Sequence, residues 1–336
     1  MAAATPGCWP AVTGVLSRIA VSLYLFGRHL EQAEHLARTL RVHNELILDR
    51  AVHDDQDFWA SFMALAGWPL ADHLTRPQAI ELIVAGSAGP SVQRAVSDAR
   101  TAALAVRPSL SSDVFEQVNS LHWRLQDDDW QEALDGYLRR VELGVHLLGG
   151  LVEDTMAHDE AWEFIRLGKF LERASATMRL VGSKSVELGG QEDAAVDWAA
   201  TLRCCSSFEA YQQRVPSPVT AARVAGFLLF QPVSPRSVTF SVDRALRAVR
   251  RIDGPGEPSR PRQALERLAA LFAESDVEEM AAAPAQLGLA FTEVRKEVES
   301  ALRNTYFLPH SLAVALPGDT MLAHPQQQQQ QQQEAP

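Results

Sequence analysis

The sequence predicts an all-α protein, a multi-helix bundle with an internal pseudo-repeat of two long helices near 12–48 and 159–181. Three observations predict it. Apolar residues recur at three- and four-residue steps along most of the chain, the period of an amphipathic helix. No series of alternating segments separated by hairpin turns occurs. A fifteen-residue pattern appears twice: Gly27, Leu30, Glu31, Ala33 and Arg38 match Gly168, Leu171, Glu172, Ala174 and Arg179 at a constant offset of 141 (168 − 27).

The first helix carries Leu23, Phe26, Leu30, Ala33, Ala37 and Leu40 as one stripe, and the second carries Phe164, Leu167, Leu171, Ala174, Met178 and Val181. About 90° round each helix lies a second line, Gly27, Glu31, Glu34 and Arg38 in one and Gly168, Glu172, Ser175 and Arg179 in the other. Those polar groups border a core. Glycine inside a helix costs about 1 kcal/mol against alanine, so a matched pair of glycines predicts close backbone approach, with the helices crossing at Gly27 and Gly168. Across such a crossing Glu31 reaches Arg179 or Arg173, and Glu172 reaches Arg38. The ion pairs then either fix helix register or line a binding site.

Between and beyond these helices, a break at residues 53–57 precedes a short helix at 58–66. A helix over 76–85 has Thr75 as N-cap and Pro77 in its first turn, and another starts at Ser91. Residues 110–125 read as a helix, Asp127 to Asp129 as the cap of the next, and 132–156 as one long helix or two joined near Gly136 or Gly149. Residues 182–193 form a polar linker and a candidate sub-domain boundary. Helices follow over 194–204, 217–230, 234–251, 262–274 and 286–305, with Ser234 as N-cap and Pro235 at the first helical position of the third. Residues 1–11 read as a flexible N-terminus, 12–315 as the folded domain, and the glutamine-rich 316–336 as a disordered tail.

The chain has 336 residues, 46% hydrophobic and 22% charged, the composition of a globular protein, and a formal net charge of −11 that argues against nucleic acid or an anionic membrane as partner. Three cysteines, two of them adjacent at Cys204 and Cys205, fit a reducing cytoplasm. No leader or membrane span is evident near the N-terminus. No nucleotide-binding glycine loop, dinucleotide fingerprint or nucleophile elbow occurs, so no cofactor is expected and no catalytic residue is assigned. Glu31 with His35 and Glu142 with His146 share helix faces at i, i+4, whereas helical di-metal sites use a Glu-x-x-His spacing, and no metal is expected. Arg236, beside a helix N-terminus where a cation is unhelpful, needs an anionic partner outside or within the fold.

Several segments together resemble the bacterial alpha-E domain family, all-helical proteins with a Glu-Arg motif: 16–24, Gly27-Arg28 with Leu30-Glu31, 170–174, 205–211, 227–230 with 235–238, and 304–307. The resemblance places the Glu-Arg motif on Glu172 and Arg173. The first copy has Glu31-Gln32 in that place. Arg18, Arg28 and Arg236 also fall on family-like positions. By resemblance, the partners are an ATP-grasp-type amide ligase and a transglutaminase-like protein, in peptide synthesis or modification. The expected function is that of a cytoplasmic helical accessory protein. The alternatives are an enzyme acting on a small amino-acid or peptide substrate through the Glu/Arg line and, further off, a metal-carboxylate protein. The candidate binding residues are Arg18, Arg28, Glu31, Arg38, Glu172, Arg173, Arg179 and Arg236.

Overall fold

A computed structural model describes residues 16–50, 56–68, 74–188, 194–215, 218–273 and 284–308. Among these residues every regular element is a helix. The elements are α1 (Ser17–Arg50), α2 (Gln56–Leu65), α3 (Arg76–Ala85), α4 (Val92–Ala105), α5 (Ser112–Asp127), α6 (Leu134–Thr155) and α7 (Glu160–Leu188). They continue as α8 (Ala195–Cys204), α9 (Phe208–Arg214), α10 (Ala221–Phe230), α11 (Val238–Asp253), α12 (Arg260–Ala273) and α13 (Pro284–Leu302). A single 3-10 turn, Arg107–Ser109, follows α4, and a π turn, Arg303–Phe307, follows α13. The expected N-terminal arm and glutamine-rich tail lie outside the described residues.

Local chemistry starts the helices where hydroxyls and carboxylates can serve the first free N–H groups. Ser91 accepts from the Arg94 N–H and Ser111 from the Val114 N–H, each at 3.3 Å, while Asp159 accepts from the Ala161 N–H at 3.0 Å. Gln78 reaches back to the Thr75 N–H at 3.0 Å. Three local expectations are corrected. Ser237, not Ser234, caps α11, accepting from the Phe240 N–H at 3.1 Å. Between the helices expected over 194–204 and 217–230, the short helix α9 forms at Phe208–Arg214, and the second of the two expected helices starts only at Ala221. The acidic run 127–129 does not cap α6, which starts later with Ala133 in the cap position, and Asp128 pairs with Arg140 at 2.8 Å instead.

α1 and α7 form the most extensive helix pair. Both apolar stripes are buried, with Leu23, Phe26, Leu40, Leu167 and Leu171 fully enclosed. Around this pair the packing repeats itself. α4 lies on α1, α5 on α4, α6 on α5, and α6 returns to α1; in the same order α11 lies on α7, α12 on α11, α13 on α12, and α13 returns to α7. Among the described residues, eight of the helices form two four-helix rings that meet at the α1/α7 crossing. The duplication expected for two helices therefore extends to eight. Residues 156–159 separate the rings, whereas Gly182 lies inside α7. One contiguous core runs from Ala20 to Leu302, with α8 and α10 packed over it. The π turn closes the crossing, laying Tyr306 edge-on to Phe164 at 5.6 Å between ring centroids and Phe307 against Tyr24 at 5.2 Å.

A paired glutamate seam at the α1/α7 crossing

The helices cross where the sequence places its matched glycines. A methyl group added to Gly27 would overlap the carbonyl oxygen of Ile165, and one added to Gly168 would overlap that of Tyr24. Tyr24 and Ile165 are themselves repeat partners, so the contacts are reciprocal and the crossing has local pseudo-twofold symmetry. One turn beyond each glycine stands its glutamate, Glu31 and Glu172, 3% and 5% exposed.

The half around Glu31 is closed. Arg173 from α7 grips the carboxylate through Nε and Nη2, both at 2.7 Å, and Arg236 adds Nη1 at 3.0 Å. The same Arg236 guanidinium forks onto Glu34 at 2.7 and 2.9 Å. Its anionic partners thus lie within the fold, and its backbone carbonyl accepts from the Thr177 hydroxyl at 3.0 Å. Glu34 also meets Arg38 and, at 3.3 Å, the Nε2 of His146 from α6. Arg38 continues to Glu142 at 3.4 Å, and Glu142 accepts from Arg41 at 2.8 Å. Burial would raise the Glu31 carboxyl, yet the guanidiniums of Arg173 and Arg236 outweigh it and hold the group well below the usual carboxylate range. Between α1, α6 and α7 there remains a cavity of about 30 Å³, room for a water or two, lined in part by Glu31 and Lys169.

The half around Glu172 is open. Arg28 reaches the carboxylate at 3.2 Å and Arg179 at 3.3 Å. From α13, Arg295 pairs with Glu299 at 2.9 Å and donates to the Tyr24 hydroxyl at 3.4 Å, and Glu299 lies 3.7 Å from Arg28. Burial again opposes ionisation, and Arg28, Arg179 and Arg295 overcome it to bring the Glu172 carboxyl down to about 2. Here a cavity of about 700 Å³ runs from Glu172 along α7 towards Glu187, walled by α13 and by Ser61 and Ala64 of α2.

Six of the eight sequence-predicted residues, Arg28, Glu31, Glu172, Arg173, Arg179 and Arg236, meet in these two clusters as partners of the two glutamates. The other two differ. Arg38 does not reach Glu172; Glu34 stands one turn before it on the same helix face and, with Glu142, takes its charge. Arg18 is exposed in the first turn of α1, apart from both clusters. Gln32, standing where a second Glu-Arg pair would put arginine, lies 3.4 Å from the Nδ1 of His29.

Lys169 and Arg295 went unforeseen, though both left a signal. Lys169 is the repeat partner of Arg28, and burial with the neighbouring Arg173 brings its ammonium down to about 8. Arg295 sits in the apolar stripe Leu287, Phe291, Val298 and Leu302, a charge at a core position. Away from the seam, Cys204 and Cys205 are buried free thiols; burial raises both, Cys205 to about 11, so neither is poised as a nucleophile. Among the described residues no three His, Cys, Asp or Glu side chains are grouped to hold a metal ion, and no helix is long and apolar enough to cross a membrane.

A duplicated all-helical bundle with buried glutamates clamped by arginines at its shared crossing is the class that fold and seam define. The chain belongs to the Alpha-E family, described as a predicted alpha-helical domain with a conserved ER motif, whose model matches residues 15–307. It is also 24% identical, over 90% of its own length, to an uncharacterised protein of Mycobacterium bovis and to two of Mycobacterium tuberculosis. The chain spans 37% of the length of these relatives. No solved structure matches it.

Proposed function

We propose that the chain is a non-catalytic helical module that works in the cytoplasm beside an ATP-grasp-type amide ligase or a transglutaminase-like protein, in peptide synthesis or modification. The observation that carries the first half of this reading is the state of the two seam glutamates, both buried, ionised and clamped by arginines. A general acid or base works best with a pKa near the operating pH, and a carboxylate held near 2 by three arginines neither donates a proton at neutral pH nor accepts one effectively. Glu31, held lower still, is equally unsuited. The relatives support the second half, because the matched segment is little more than a third of each and stands beside other sequence in the same polypeptide. The choice of ligase and transglutaminase partners comes from the resemblance to alpha-E proteins.

The test is reconstitution. The tagged chain is co-expressed with an ATP-grasp-type ligase and a transglutaminase-like protein from the same organism, and ATP-dependent amide formation is followed with and without it. A stable complex and a rate several-fold higher with the chain present are expected. A chain recovered free, with ligase activity unchanged on its addition, would contradict the reading.

A further inference from the structure

The two seam glutamates border cavities of very different size, about 30 Å³ at Glu31 against about 700 Å³ at Glu172. The larger volume falls in the range of small-molecule sites. Its lining is amphoteric. Arg28, Arg179, Arg295 and Lys296 face Glu172, Glu187 and Glu299, and Glu187 already accepts from Lys184 at 2.7 Å. The balance favours a single negative charge, and three carboxylates in the wall disfavour a dianion such as phosphate.

Two of the cations have capacity left. Arg295 is 7% exposed, and among the described residues its Nε has no hydrogen-bond partner, a cost that a buried guanidinium rarely bears without an acceptor. Arg179 contacts Glu172 through one nitrogen only, and its side chain is 46% exposed. The remaining wall mixes the hydroxyls of Ser61, Ser175, Ser183 and Thr292 with an apolar part, Met178, Phe291, Leu289 and Val186. The last two are 72% and 70% exposed, large hydrophobic side chains left in water at the same cavity.

We propose that this cavity binds the free carboxylate end of a short peptide, with Arg179 and Arg295 taking the carboxylate and Leu289, Phe291 and Met178 the terminal apolar side chain. A guanidinium matches a carboxylate with two parallel N–H donors, which is why two arginines rather than lysines suit this ligand. Glu187 and Glu299 stand in the same wall for the ammonium at the other end of a dipeptide. The carboxylate preference rests on the cavity itself, and the choice of a peptide as its source rests on the function proposed above.

Calorimetric titration of the full chain with glycyl-leucine and with glycyl-leucinamide tests it. Glycyl-leucine is expected to bind with Kd of about 1 mM or tighter, and the amide about tenfold more weakly. Arg179→Gln and Leu289→Asn are each expected to weaken glycyl-leucine about tenfold; Leu289→Asn leaves the circular-dichroism melt unchanged, while Arg179→Gln, which also gives up a contact to Glu172, stays folded with a melt lowered by only a few degrees. No binding at about 20 mM peptide, equal binding of the amide, or unaltered binding by both folded variants would overturn the site. Its failure is separable from that of the accessory role. A chain that joins its ligase yet ignores glycyl-leucine loses only the site, and one that binds the peptide yet joins no ligase loses only the role.

Discussion

Glu172 shares one carboxylate between Arg28 and Arg179 with Arg295 nearby, so removing its charge leaves three cations facing one another in a largely buried space. Glu172→Gln should therefore cost about 3 kcal/mol in urea denaturation, the cost of breaking a buried pair from one side. A catalytic Glu172 predicts the opposite pattern, turnover abolished with the melting temperature intact. Histidines govern the milder acid range. His35 is lowered to about 4, by burial first and then by Arg179 and Arg236, and His43 to about 3, by burial and then Lys184. Below the ordinary value of 6.5 the unfolded chain takes up protons that the folded chain refuses, so stability falls as pH drops from 6.5 towards 4. Each histidine contributes a slope of up to about 1.4 kcal/mol per pH unit, and urea midpoints measured at pH 7, 6 and 5 should decline steadily. The double variant His35→Gln, His43→Gln should reduce that decline, leaving the share of His29, His122 and His146, which are lowered as well; an undiminished slope would refute the assignment. The glutamates act lower. Glu172 stabilises the fold above its unfolded value of 4.5, and that contribution is lost as pH falls through about 2.

At the scale of elements, the crossing depends on two absent methyl groups. Gly27→Ala or Gly168→Ala would press a side chain into the backbone carbonyl of the partner helix, which cannot rotate away, and should cost about 3 kcal/mol or prevent folding. Gly150 in α6 and Gly182 in α7 meet nothing within 4 Å, and alanine at either should be neutral or add about 0.5–1 kcal/mol. Thermal melts of the four variants separate the two classes; equal effects would contradict the close approach. The crossing was legible in the sequence because glycine at a repeated register has few other uses inside a helix. Other features were not legible, for a common reason. Ser234-Pro235 and Ser237 are both good local start signals, and the helix starts at Ser237, directly after Arg236 is held by Glu31 and Glu34 on a distant helix, a contact no local pattern reports. Likewise Arg38 looked across the repeat to Glu172, while the winning partners were Glu34 on its own helix and Glu142 on α6. α9, with seven residues, is too short to show a period.

Over the whole molecule, the two rings are chemically unequal. One closes its glutamate under Arg173 and Arg236, and the other leaves a cavity of about 700 Å³. Glu31-Gln32 against Glu172-Arg173 is the sequence trace of that difference, because Arg173 crosses to Glu31 and Gln32 sends nothing back to Glu172. The ring plan itself, with α4, α5 and α6 repeated as α11, α12 and α13, left no comparable trace, since helices that share only a packing role keep the period and not the residues. The central claim is that the Glu/Arg line is a lock between the duplicated halves. A double-mutant cycle tests it most directly, with urea unfolding of the parent chain, Glu31→Gln, Arg173→Gln and the double variant. The lock predicts that each single substitution costs about 3 kcal/mol and that the double costs far less than their sum, a coupling of at least about 2 kcal/mol. Additive effects within about 0.5 kcal/mol would contradict it.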